Sequence, residues 1–190
     1  MPLLELKPCI FPENLLESPP VNSGLGRWWV LHTRPRSEKA LARRFGDRGT
    51  SYYLPLYARE WVSRGRRFNS FLPLFPGYVF LHGDGDDRLS ALETNLVAHV
   101  IPVEDQKQLF NDLARVRSLL TSGAAVTPED RLGPGDPVQI VRGPLAGLDG
   151  KVIRRGNHLR FIIEVQFLRR AVSAEIEGWM IQAHSMANAS

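Results

Sequence analysis

The side chains in this chain that could do chemistry at a distance are cations. Arg64, Arg66 and Arg67 crowd the stretch SRGRR, and Arg34, Arg36, Lys39 and Arg43 follow one another closely upstream. Guanidinium and ammonium groups at that density suit phosphate oxygens, and the affinity they supply is salt-dependent and largely blind to sequence. Residues 27–67 hold eleven Lys/Arg against three Asp/Glu, a local balance of +8, whereas residues 80–132 hold five against nine, or −4. Solubility alone would account for scattered basic residues, but a concentrated +8 is a meaningful field for a polyanion. Catalysis has no comparable footing. His32, His82, His99, His158 and His184 are scattered without ligand spacing, and no Ser/His/Asp arrangement, P-loop or H-E-x-x-H run occurs. The one cysteine, Cys9, excludes an intrachain disulfide and any multi-cysteine zinc site. No catalytic residue, cofactor or metal is expected, and the chain is not read as an enzyme.

The elements that must position these cations follow from pattern. With 190 residues, 43% hydrophobic and 23% charged, the composition is that of a soluble globular protein of one ordinary domain or two small ones. No apolar run approaches the ~18–20 residues that span a bilayer. The start lacks the basic and apolar regions of a secretory signal, so a cytoplasmic location and no membrane partner are expected. Residues 1–26, rich in proline and ending SPPVNSGLG, read as a flexible leader. Trp28-Trp29-Val30-Leu31 reads as a strand buried on both faces. Ser37 is placed to cap a helix running to about Arg48, with Leu41 and Phe45 as its core stripe and Lys39 and Arg43 on a more exposed side. YYLPLYAREWV (52–62) and FNSFLPLFPGYVFLH (68–82) read as two strands joined at SRGRR, with Gly65 for the turn. A short helix near 87–93, a strand at 99–103 and an amphipathic helix over 109–120 complete an order β-α-β-β-α-β-α. That order favours an α+β sandwich of ferredoxin-like type with an antiparallel sheet.

Within it, LPLFPGYVFLH (72–82) raises a specific question. Tyr78 and Phe80 point to one face and Val79 and Leu81 to the other, so both faces are apolar and each needs a cover. After residue 120 the texture changes. TSGAAVTPEDRL (121–132) has linker composition, and short β runs (VQIV, GKVIR, LRFIIEVQFL, AVSAEI) follow over 133–185, with a tail at 186–190. These runs predict a small SH3-like β-barrel. Between its first two strands lies Gly143-Pro144-Leu145-Ala146-Gly147-Leu148-Asp149-Gly150. There Gly147 and Gly150 would permit positive φ or a backbone approach that a Cβ would obstruct, and Leu145 and Leu148 plug the barrel.

The order G-D-x-V-x-I-x-x-G-P-x-A-G-x-x-G-x-V resembles the KOW motif of ribosomal proteins and of the NusG/RfaH family of transcription factors. Upstream, Trp28-Trp29-Val30-Leu31, the helix-borne Glu38-Lys39 and Leu74-Phe75-Pro76-Gly77-Tyr78-Val79-Phe80 are similar, in order, to the parts of that family's N-terminal (NGN) domain. The resemblance spans about 27–184, and the TRPRSEK turn and YYLPLY strand look more like the specialised paralogues than the housekeeping member. It implies an NGN domain over 27–120 that binds the β′ clamp helices of RNA polymerase in an apolar depression formed by Phe75, Pro76, Tyr78 and Phe80, with Trp28 or Trp29 flooring it. The alternative is that the terminal amphipathic helix covers this face and all four are core. It implies upstream or non-template DNA along Arg34, Arg36, Lys39, Arg43, Arg64, Arg66 and Arg67, with Arg34 the base reader. It implies a KOW barrel, keyed by Gly143, Pro144, Gly147 and Gly150, that recruits a ribosomal protein, a termination factor or RNA. A contact with the polymerase β subunit would fall near DRLSALETN (87–95), which does not match the family's His-Thr-Thr form. The implied action is an antiterminator or elongation factor, acting as a monomer, that favours the closed clamp and suppresses pausing or termination. The rival is a KOW-type RNA-binding or ribosome-associated module that never meets polymerase.

Overall fold

The computed structural model describes residues 9–17, 26–129, 135–155 and 157–183. It divides into two compact units, Met1–Phe110 and Asn111–Ser190. In chain order the first contains β1 (Ile10–Phe11), β2 (Arg27–Thr33), α1 (Glu38–Arg48), β3 (Ser51–Tyr53), β4 (Leu56–Ser63), β5 (Arg66–Pro73), β6 (Tyr78–Gly83), α2 (Gly85–Glu93), β7 (Val97–Pro102) and the start of α3 (Gln106–Thr121).

Five strands make one antiparallel sheet in the order β1-β3-β6-β2-β7, and β4 with β5 makes a separate two-stranded one. Each long strand anticipated around SRGRR is therefore broken in two. Pro55 ends the first, since it has no N–H to continue a ladder, and its carbonyl accepts from Leu74 N (2.8 Å). The Leu74–Gly77 turn breaks the second. Ser37 holds the position before α1, but its side chain makes no capping bond there; Gly49 closes the helix in the left-handed conformation.

The two-faced strand finds a cover on both sides. Val79 and Leu81 join Leu31, Tyr52 and Leu54 against Leu41, Ala42 and Phe45 of α1, with Ala91 of α2. On the opposite face register lines up Ile10, Tyr53, Phe80, Val30 and Ile101 across all five strands. Phe75 folds back edge-on over Phe80, ring centres 6.3 Å apart. Ile10 and Leu16 are buried, which corrects the flexible leader for residues 9–17. Ile10–Phe11 pairs with β3, and Leu54 N donates to Cys9 O (2.6 Å), because the free edge of β3 and the apolar CIFPENLL segment satisfy one another. The rest of 1–25 lies outside the described residues.

His82 of β6 lies beside the buried Trp28 ring, centres 5.0 Å apart, and its Nε2 is buried without a hydrogen-bond partner. Burial holds its pKa below the ordinary value, with Asp87 pulling the other way. The unfolded chain takes up this proton more readily than the folded one. Stability therefore falls as pH drops through ~6.5 and on toward the lower folded-state value. Thermal melts from pH 7.5 to 5 are expected to show a steeper loss for the native chain than for His82→Phe. Parallel curves would refute the assignment.

The second unit contains the latter part of α3 and β8 (Val126–Glu129), β9 (Asp136–Ile140), β10 (Asp149–Arg155), β11 (His158–Val165), β12 (Arg170–Ile176) and β13 (Ile181–Ala183), with short 3-10 turns after β11 and β12. All six strands pair antiparallel in the order β13-β9-β10-β11-β12-β8. Val138, Ile140, Val152, Phe161, Ile163, Val165, Val172, Ala174 and Ile176 supply its core. Two departures from the anticipated boundaries stand out. Residues 126–129, read as linker, are a strand: Pro128 sits in β8 at an end of the sheet, where a missing donor is tolerated. The division between units also falls inside α3, not after it. The fully buried Asp112 carboxylate accepts from Gln166 N (3.0 Å) and Arg115 Nη2 (2.5 Å), while Arg115 Nη1 donates to Asp149 O (3.2 Å). A carboxylate out of water needs such partners, and they tie this part of the helix to the strands that follow it.

Candidate functional site

The Phe75-Pro76-Gly77-Tyr78 segment is a turn, closed by Tyr78 N donating to Phe75 O (3.1 Å). Gly77 takes φ +84, and a Cβ there would also meet His32 Nε2 at 3.4 Å. The nearly buried Glu38 carboxylate reaches from the first turn of α1 and accepts from Gly77 N (2.8 Å). Gly77 O in turn accepts from Thr33 N (2.8 Å). The turn is thus held by a helix on one side and a strand on the other. What it presents is an exposed Pro76 and a half-buried Tyr78. Tyr78 packs on His32 (5.2 Å between ring centres), and His32 stacks on the exposed His99 (6.0 Å, 14°). These three rings form a row across β6, β2 and β7.

The other expected anchors are placed differently. Phe75 (2% exposed) and Phe80 (0%) belong to the core and pack on one another beneath the turn, and Trp28 (1%) is core at the other end of β2, opposite His82. Trp29 pairs with Leu81 in register, which puts it on the sheet face toward α1 and α2, away from Tyr78. There its Nε1 donates to Gly83 O (3.2 Å), and the Arg27 and Arg88 guanidiniums lie over its ring at 4.7 and 5.6 Å. These are structural cation–π contacts, not the floor of a depression.

All seven expected cations, Arg34, Arg36, Lys39, Arg43, Arg64, Arg66 and Arg67, are exposed. Arg36 takes a left-handed backbone conformation after Pro35 (φ +61). Arg64 and Gly65, both at positive φ, make the two-residue loop that matches the right-handed twist of a hairpin. Lys39 Nζ donates to Phe71 O (2.5 Å), so α1 meets the β5 backbone toward the base of the hairpin, while Arg64, Arg66 and Arg67 lie at its tip. DRLSALETN lies on α2 and its end. Asp84 begins that helix with a reciprocal capping box to Asp87, and Asn95 leaves it at positive φ.

In the second unit Gly143 and Gly147 bracket the exposed Pro144 in a compact loop. Gly147 N donates to Ile140 O (2.7 Å) and Ile140 N to Leu148 O (2.9 Å). Leu145 is buried, whereas Leu148 is only partly so. Gly150 lies at the start of the β10–β11 pairing: a Cβ would stand 2.5 Å from Ile162 O and 2.6 Å from the Phe161 ring. Among the described residues no group of three or more His, Cys, Asp or Glu could hold a metal, and no helix is long and apolar enough to cross a membrane.

Sequence reasoning missed three things. Glu38 positions the turn, His32 and then His99 extend an aromatic row from Tyr78, and Trp61 stacks on Phe68 (5.7 Å, 18°) in the hairpin. The last was recoverable. Counting outward from an Arg64-Gly65 turn pairs Ser63 with Arg66, then Val62 with Arg67, then Trp61 with Phe68. The first two depend on contacts between distant elements.

The family described as "Transcription termination factor nusG" matches residues 26–128, more than half of the 190-residue chain. A comparison with curated proteins finds no match. Domains of that family are transcription factors and not enzymes, and they act with RNA polymerase. With the antiparallel α/β sandwich and its glycine turn in place, the chain belongs to the NusG family of transcription elongation and termination factors.

Proposed function

We propose that the first unit docks on the β′ clamp helices of RNA polymerase through the Phe75–Tyr78 turn, holds upstream or non-template DNA along its basic side, and so favours the closed clamp and suppresses pausing or termination. The second unit, read as a KOW barrel, recruits a further partner. The observation that carries this reading is the turn itself: Pro76 exposed and Tyr78 half-buried, on a backbone fixed by Glu38 and Thr33. A preorganised aromatic needs little ordering on binding, and Tyr is favoured at binding hot spots. A factor of this kind shifts the clamp only by binding one of its states more tightly than the other.

The test is capture of core polymerase by the full chain and by Tyr78→Ala. Loss of a hot-spot side chain is expected to cost ~2 kcal/mol or more, roughly thirtyfold in Kd. Binding unaffected by Tyr78→Ala would remove this surface. Tight binding to structured RNA with none to polymerase would favour the ribosome-associated alternative.

A further inference from the structure

The β4–β5 hairpin is a two-stranded sheet of its own, and from Ala58 to Phe71 nearly every residue is exposed. Strand partners share a face, so its register sorts the side chains. One face carries Arg59 with Ser70, Trp61 with Phe68, and Ser63 with Arg66. The other carries Ala58 with Phe71, Glu60 with Asn69, and Val62 with Arg67. The faces differ in kind. The first has two arginines, no acid and a pair of near-parallel rings left 43% and 42% exposed. The second balances Glu60 against Arg67 and carries one aromatic, Phe71, whose backbone is held by Lys39.

Rings in water with guanidiniums two residues away on either side along the hairpin fit one chemistry. A base offers a flat apolar face, and its backbone offers a phosphate a few ångströms off. Paired bases keep their faces inside the stack, so only an unpaired strand can use both features. An apolar protein groove would use the rings and leave Arg59 and Arg66 without counter-charges.

We propose that the Trp61/Phe68 face of the hairpin is a base-stacking surface for single-stranded nucleic acid, with Arg59 and Arg66 holding its phosphates. This rests on the nucleic-acid side of the reading above and adds one thing: aromatic rings on the hairpin carry the preference for an unpaired strand. Stacking is tolerant of base identity because every base has a π face, so the surface selects strandedness and not sequence.

Fluorescence anisotropy with a labelled mixed-sequence 12-mer, alone and annealed to its complement, tests this on the full chain. The double variant Trp61→Leu/Phe68→Leu keeps an apolar cross-strand pair and removes the rings; an unchanged melting temperature checks that the hairpin's setting survives. The native chain is expected to bind the single strand more tightly than the duplex. The Leu/Leu variant is expected to lose about tenfold on the single strand and little on the duplex, while Trp61→Phe keeps most of the affinity. Arg59→Ala/Arg66→Ala is expected to weaken the single strand and lower the slope of log affinity against log salt by about 1.4. Equal single-strand affinity for the native and Leu/Leu chains, with the arginine variant still impaired, would overturn stacking and leave the basic surface standing. Binding to neither oligonucleotide would overturn both.

Discussion

Phe80→Ala is expected to cost ~3–5 kcal/mol of folding stability, measured by urea unfolding, and to abolish polymerase capture as a consequence. The ring is fully buried at the centre of the five-strand row, between Tyr53 and Val30 in register, with Phe75 edge-on above it. Truncating it leaves a cavity on that face of the sheet between the Tyr53 and Val30 side chains and beneath Phe75, and the backbone ladder below fixes their spacing. Tyr78, two residues earlier on the same face, is expected to behave in the opposite way. It is half-buried at the sheet's rim, so Tyr78→Ala is expected to leave stability within ~1 kcal/mol and to act on binding alone. The pair of variants separates support from contact. If Phe80→Ala folds as stably as the native chain yet fails to bind, the ring belongs to the docking surface and its burial is relieved when a partner arrives.

Much of the fold was legible along the chain. Alternation in Tyr78–Leu81 correctly assigned one pair of side chains to each face, and the spacing of Leu41 and Phe45 marked the stripe they meet. What escaped was set by partners far off in sequence. Nothing within CIFPENLL says that β3 has an open edge to receive it, and nothing within VTPE says that β12 will tolerate Pro128 beside it. Trp28 and Trp29 look interchangeable in sequence. Only the pairing of Trp29 with Leu81 shows which tryptophan lies on the helix side. The seven cations needed no such information, since charge keeps them in water whatever the topology. The bond from Lys39 to Phe71 O, which joins the helix to the base of the hairpin, did need it.

Gly150→Val is expected to be the most damaging single change in the second unit, and comparison with Gly147→Ala shows why. At Gly147 the obstacle is conformational: φ is +91 with open space around the position, so Gly147→Ala is expected to cost ~1 kcal/mol of backbone strain. At Gly150 the obstacle is matter. A Cβ would sit 2.5 Å from Ile162 O, a backbone atom of the strand paired with β10, and 2.6–2.7 Å from the buried Phe161 ring. Neither can retreat cheaply, because β11 is bonded to β12 on its far side and Phe161 is fully buried. Even Gly150→Ala is expected to cost ~1–3 kcal/mol as overpacking, and the branched valine more than that. Amide exchange along residues 149–165 reads the result directly: protection there is expected to collapse in Gly150→Val and to persist in Gly147→Ala. Full protection in both would mean that β10 and β11 can separate by an ångström at no cost, and the close approach of β11 would not be what requires glycine at residue 150.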